Sequence, residues 1–466
     1  DGREEIIPND VVFTMIGREA PLDFFRRSGV LIRGEWRAST WAGFIGFLLF
    51  CAFLYNWKEG ASLTELFRQH GWFPFNVPSL LGRLGPRVAA MLADPSTLLG
   101  TMKVNLAEPG FYYSTVYTLL IVIFGLRRIR RRKTPYVKLQ TTTLALIQIV
   151  PLFLLPYIIL PLLGNNGWFD HGFTKTIADA LFPAVNYGHG REYWRSFGFI
   201  LAWPLFVWNA FTEQPMWTWL AISMVQTFVA IPLIIYFWGK GAYCGWICSC
   251  GAMAETLGDT HRNKMPHGAV WNRVNMTGQV ILAVAFLLMG ARIASWAAPD
   301  SSAGRLLAGL YTGLFDGWTL AGVQLNYKWV VDVTLAGIIG YGAYFWFSGR
   351  VWCRFACPLA ALMHIYARFS RFRILSEKKK CISCNVCTSV CHQGIDVMNF
   401  ANKGIPMEDP ECVRCSACVQ SCPTGTLSFG QVDPSSGRII RKDTLAASPV
   451  LVAEGSAAPP RARASA

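Results

Sequence analysis

Cys381-Ile382-Ser383-Cys384-Asn385-Val386-Cys387-Thr388-Ser389-Val390-Cys391 is answered further along by Cys412-Val413-Arg414-Cys415-Ser416-Ala417-Cys418-Val419-Gln420-Ser421-Cys422-Pro423. Both runs read C-x2-C-x2-C-x3-C, the pattern that holds two [4Fe–4S] clusters. Cysteines two residues apart reach three corners of a cube from one tight loop, and the fourth of each run crosses to the other cluster. The pattern assigns Cys381, Cys384, Cys387 and Cys422 to one cluster. It assigns Cys412, Cys415, Cys418 and Cys391 to the second. A zinc site needs only four ligands, which two C-x2-C pairs would supply, and a disulfide framework needs no such regularity. His392 stands where a proline often follows the last cysteine, but it removes no ligand. Residues 381–430 therefore read as a small α+β domain.

Outward from this domain the chain is apolar. Of 466 residues 53% are hydrophobic and 15% charged, with 18 Trp and 31 Phe. Windows of about 17–25 apolar residues are long enough to span a bilayer as helices. They occur at about 38–57, 110–126, 141–163, 216–238, 274–297 and 329–347. The expected fold class is an α-helical polytopic membrane protein of about six spans, 38–350, followed by the small domain. Phe197–Phe211 is short and contains Pro204, and it reads as re-entrant or interfacial. Arg26, Arg27, Arg33, Arg37, Arg127, Arg128, Arg130, Arg131, Arg132, Lys133, Arg368, Arg371, Arg373 and Lys378 to Lys380 flank the spans on one side. The positive-inside rule puts that side in the cytoplasm, with the two-cluster domain and the 239–273 loop. The net charge of +15 follows from this asymmetry and calls for no nucleic acid.

A second cysteine pattern repeats inside the membrane region. Tyr236-Phe237-Trp238 leads into Cys244-Gly245-Trp246-Ile247-Cys248. Tyr344-Phe345-Trp346 leads into Cys353-Arg354-Phe355-Ala356-Cys357-Pro358. A C-x3-C spacing puts both sulfurs on one face if the segment is helical. Cys244, Cys248, Cys353 and Cys357 together would supply four thiolates to a third iron or iron–sulfur centre. Redox thiols and plain buried residues are the alternatives. Ser249 replaces the proline expected after Cys248, and Cys250 adds a thiol.

On these motifs the chain, over roughly 110–430, resembles the membrane polyferredoxins that accompany nitrous oxide reductase and periplasmic nitrate reductase. These share paired C-x3-CP motifs behind spanning helices and a bacterial two-cluster ferredoxin domain. The resemblance implies a bacterial inner membrane and electron exchange with the quinone pool or a redox partner protein. It does not specify one pathway. The periplasmic flavin-binding domain of some members has no counterpart here.

Residues 1–37 carry a different signal. Ile7 to Gly17 reads as a strand ending in glycine, and Pro21 to Arg27 as a helix start. This resembles the closing strand and helix of thioredoxin-reductase-like flavoproteins. An amphipathic juxtamembrane segment is the plainer reading. The chain begins with Asp1, and no G-x-G-x-x-G follows a strand. The expectation is a C-terminal part of a larger polypeptide whose other part binds FAD and NAD(P)H. None of the seven histidines lies mid-span, so no haem is expected. Residues 351–380 read as the second C-x3-C motif with a basic linker, and 431–466 as a tail, disordered beyond about 445. The functional expectation is an iron–sulfur oxidoreductase component that carries electrons between a cytoplasmic reductant and a quinone or partner protein. A redox sensor or metalloenzyme assembly factor is the alternative.

Overall fold

The computed structural model describes residues 22–29, 35–275, 277–320, 323–443 and 445–446. The strand expected at 7–17 and the tail beyond 446 lie outside the described residues. Residues 1–43 and 44–466 form two compact units. In the first, Arg26 in the last turn of helix Leu22–Arg27 pairs with Glu35 at 2.6 Å.

Among the described residues, five helices are long and apolar enough to cross a membrane: Ala38–Lys58, Pro109–Arg132, Pro135–Asn165, Trp217–Trp238 and Ala269–Ala297. Leu49, Val116, Ile123, Leu146, Val229, Leu233 and Leu287 are exposed along them, as side chains facing lipid must be. The third of these helices contains Pro151, Pro156 and Pro161. Prolines lack the N–H that an α-helix requires, and here the backbone takes a wider π-helical course over Val150–Ile159.

The sixth apolar stretch is helical only over Lys328–Gly342. Its regular helix is shorter than the other five, and the chain continues through it to Cys353, which packs with Cys244 at the 239–273 end. The helix is tightly packed: a Cβ on Gly337 or Gly342 would lie 2.4 Å from Tyr55 or Leu48 of the first spanning helix. Small residues allow such close approach in membranes. Phe197–Phe211 forms no spanning helix. A 3₁₀ turn, Tyr193–Phe199, leads into irregular backbone with Ala202, Trp203, Val207 and Ala210 buried. Non-helical backbone at such a place must be satisfied by protein. The Tyr243 hydroxyl does part of this, donating to the Ile200 carbonyl at 2.7 Å and accepting from the Ala202 amide at 3.0 Å.

The C-terminal domain is built on an antiparallel sheet in the order Phe372–Ser376, Leu427–Val432, Ile439–Asp443. The first two strands pair from Phe372↔Gln431 to Ser376↔Leu427. Both cysteine runs lie between them. The sheet docks on the 239–273 end of the helices. Arg371 N donates to Tyr236 O at 2.8 Å, and Gln431 Nε2 to Phe237 O at 2.8 Å.

Candidate iron–sulfur centres

Each cysteine run forms a cradle of the same shape. Ser383 and Asn385 flank Cys384, and Arg414 and Ser416 flank Cys415; all four have positive φ, from 51° to 64°. That conformation is uncommon without glycine, and its repetition at equivalent positions marks a backbone bent to serve the sulfurs. The loops enclose two cavities. One is lined by Cys381, Cys384, Cys387 and Cys422. The other is lined by Cys391, Cys412, Cys415 and Cys418. In both, three cysteines come from one run and the fourth from the other.

Burial pushes the Cys387 thiol up to about 11 and Cys391 to about 12, and raises Cys412 and Cys418 as well. Cys422 differs: despite burial, hydrogen bonds from Thr424 and Thr426 hold its thiol below the ordinary value. The Thr426 amide lies 3.3 Å from its Sγ. A metal that binds the raised thiols must displace their protons. The donor set fits a soft, all-thiolate cluster.

Neither C-x3-C motif is one continuous helix, contrary to the condition under which their sulfurs share a helical face. Cys244 ends the turn Gly241–Cys244, and Cys248 caps the next helix, Ser249–Thr256, in an extended conformation. Cys353 lies in Val351–Phe355, and Cys357 likewise caps Pro358–Ala367. Pro358 explains the second break, because the residue before a proline is pushed out of the α region. Ser249 holds the same geometry without a proline. All four cysteines are nonetheless buried in one apolar cluster with Ala285, Leu288 and Trp352. Arg350 joins the two motifs: Nη1 lies 3.1 Å from Cys244 O and 3.8 Å from Cys353 Sγ. Burial raises the Cys244, Cys353 and Cys357 thiols. The Cys250 thiol, by hydrogen bonding, and the amides of the helix start hold Cys248 down to about 7.

Among the described residues, one trio of metal-type ligands gathers its atoms within 4.8 Å: Glu255, His392 and Cys415. The trio itself is occupied by charge. Fully buried Glu255 accepts from Arg128 at 3.0 Å, Arg262 at 2.5 Å and Arg350 at 2.7 Å. Although burial opposes it, Arg262, His392, Arg350 and Arg128 hold its carboxyl far below the usual range. Burial, and then Arg262, drives His392 well below its ordinary value, so the ring is neutral. Asp259 extends the network to Arg132 at 3.2 Å.

A second bridge runs from Lys240, 2.8 Å from Glu411, to His364 on the other oxygen of that carboxylate. Glu411 precedes Cys412, so this bridge ties the buried cysteine quartet to the second cluster loop. Sequence reasoning missed Glu255, Arg350, Lys240 and Glu411. The available signal was a charge set among small and apolar neighbours. The His189 ring pairs with Asn105 at 2.8 Å, and burial lowers it to about 4.

Comparison with known proteins agrees with this geometry. A family model described as a 4Fe-4S binding domain matches residues 220–266 and 333–376, the two halves of the internal repeat. One described as a 4Fe-4S dicluster domain matches residues 373–423. The regulatory protein NosR of Stutzerimonas stutzeri is 28% identical over 199 residues, 40% of this chain and 24% of NosR. The methylamine utilization ferredoxin-type protein MauN of Methylorubrum extorquens is 27% identical over 170 residues, 34% of this chain and 51% of its own length. YccM of Escherichia coli, named for electron transport, is 26% identical over 181 residues, 38% of this chain and 47% of YccM. The chain thus spans about half or less of the curated relatives it matches. No solved structure matches it. The resemblance to membrane polyferredoxins is borne out: this is a helical membrane protein with a [4Fe–4S] ferredoxin domain, of the kind found in electron-transport and regulatory proteins.

Proposed function

We propose that the chain carries electrons between a cytoplasmic reductant and a quinone or redox partner at the membrane. The observation that carries this reading is the gathering of two cysteine-lined cavities and a buried cysteine quartet at one end of the spanning helices. Cys381, Cys384, Cys387 and Cys422 hold the first [4Fe–4S] cluster, and Cys412, Cys415, Cys418 and Cys391 the second. Cys244, Cys248, Cys353 and Cys357 hold a further iron–sulfur centre. Such clusters supply one-electron transfer when bound. The protein's share is to bury the sulfurs, to exclude water and to fix the spacing through Lys240–Glu411 and Arg350–Glu255. The family model described for 4Fe-4S binding, matching both C-x3-C segments, supports the third site. The reductant is NAD(P)H acting through a flavoprotein, as the resemblance of residues 1–37 suggests. The ferredoxin domain faces the cytoplasm of a bacterial inner membrane, in line with the basic flanks.

Iron analysis tests the third site. The purified chain should hold iron beyond the roughly eight atoms of two cubanes. Cys353→Ser should remove that excess and block reoxidation by a membrane acceptor, while the ferredoxin clusters still reduce. Iron that stops at two cubanes would refute the third centre.

Sidedness is tested separately. A cysteine placed at exposed Lys175 should react with an impermeant maleimide on intact spheroplasts, and one at Lys379 only after lysis. The reverse pattern would invert the topology.

The name of NosR gives a regulatory reading a specific footing. Steady turnover with NAD(P)H, a flavoprotein and a quinone analogue favours transport; a single turnover that stops favours sensing.

A further inference from the structure

A cavity of about 180 Å³ lies beside the second cluster loop, and nothing above uses it. Its walls include Trp238, Phe372, Phe429, Arg414, Arg441 and Asp443. Two of these, Arg414 and Phe429, also line the cavity of Cys391, Cys412, Cys415 and Cys418. One layer of side chains therefore separates the two spaces. Arg414 is held in place by Asp443 at 3.2 Å and by the rings of Phe372, Phe429 and Tyr136 at 5.2, 5.5 and 6.0 Å. Its Nε is buried and has no hydrogen-bond partner. A charged donor left unpaired beside a roomy cavity points to a ligand that supplies an acceptor. Trp238 is the last residue of a spanning helix and is 45% exposed, so the cavity sits at the level where a bilayer meets water.

These features describe a flat, carbonyl-bearing ligand that arrives from the membrane. The aromatic walls suit a ring, and the arginine suits a carbonyl oxygen. We propose that this cavity takes the headgroup of a membrane quinone, with one carbonyl accepting from Arg414. The inference rests on the electron-transfer reading and gives its acceptor a place. Reduction there consumes two electrons, delivered singly through the ferredoxin domain from the cytoplasmic reductant. It also consumes two protons from water, one for each carbonyl oxygen, and yields the quinol. Arg414 holds the anionic oxygen that forms after the first electron, and Asp443 stands ready to accept a hydrogen bond from the finished hydroxyl.

The test is photolabelling of the full chain in lipid nanodiscs with an azidoquinone, read by peptide mass spectrometry. Label is expected on peptides containing Trp238 or residues 429–443, and decylubiquinone should compete it away. Trp238→Ala lies outside both ferredoxin cysteine runs and should weaken labelling roughly 10-fold, as expected for loss of an aromatic wall. Arg441→Gln should weaken it less, and both variants should keep the iron of the two ferredoxin clusters. Label confined to other peptides would overturn the proposal. So would label displaced by phosphatidylglycerol but not by decylubiquinone, which would mark a site for lipid headgroups. Missing excess iron would sink the third centre and leave this labelling intact, so the two ideas fail separately.

Discussion

Glu255→Ala is expected to prevent recovery of a folded protein, or to lower its melting temperature in detergent more than any other single charge substitution. Glu255 is fully buried and receives hydrogen bonds from three arginines, Arg128, Arg262 and Arg350. Removing one member of a buried ion pair costs about 3–5 kcal/mol, because the partner charge is left without compensation. Here three guanidinium groups are left facing one another at once. Total stability is only about 5–15 kcal/mol for a domain. Glu255→Gln keeps the shape and some acceptor capacity, so it should be milder but still severe. The control is Glu65→Ala, whose partner Arg68 lies 3.2 Å away on the exposed surface; such pairs contribute about 0–1 kcal/mol. Size-exclusion profiles after stepwise heating would measure all three. Equal melting of Glu255→Ala and Glu65→Ala would show that the network carries no stability.

That network could not be read from the chain. The partners of Glu255 lie 127, 7 and 95 residues away, so no local periodicity or spacing announces them. Arg128 and Arg132 were legible only as part of a basic flank, and the structure turns part of that flank inward. The cluster runs are the opposite case. Their cysteines sit two and three residues apart, so the sets that line the two cavities can be read from the spacing. Most spans were legible because apolar length is itself the physical requirement. The stretch at 329–347 shows the limit of that rule. Its composition is apolar enough, but close packing of Gly337 and Gly342 against the first helix decides where its helix lies, and the regular helix ends at Gly342. The C-x3-C motifs were legible as a repeat and not as geometry. Spacing suggests a shared helical face, whereas capping by Cys248 and Cys357 sets the actual directions of the sulfurs.

Cys422→Ser should abolish the cluster of the first cysteine run, although Cys422 belongs to the second. Cys381, Cys384, Cys387 and Cys422 line one cavity, and the cavity of Cys412, Cys415 and Cys418 is completed by Cys391. If each run served its own cluster, Cys422→Ser would instead spare Cys381, Cys384 and Cys387 and strike the second site. Serine keeps nearly the volume of cysteine, and the bonds from Thr424 and Thr426 have an oxygen to reach, so the fold should survive. An alkoxide is a poor match for iron that prefers thiolate, so the cluster should lose an iron or fail to assemble. Cys391→Ser makes the mirror-image prediction for the second site. The two clusters sit in unlike surroundings. The second has Arg414 at its wall and the Glu255–Arg262–His392 group nearby, whereas the first is walled by Ile382, Met398, Ala401 and Leu427. A cation beside a cluster favours its reduced form, so the second should reduce at the higher potential. Low-temperature EPR during a stepwise reductive titration can tell them apart. In Cys422→Ser the signal that appears at lower potential should vanish, and in Cys391→Ser the one at higher potential. Loss of the same signal in both variants would contradict the crossed arrangement.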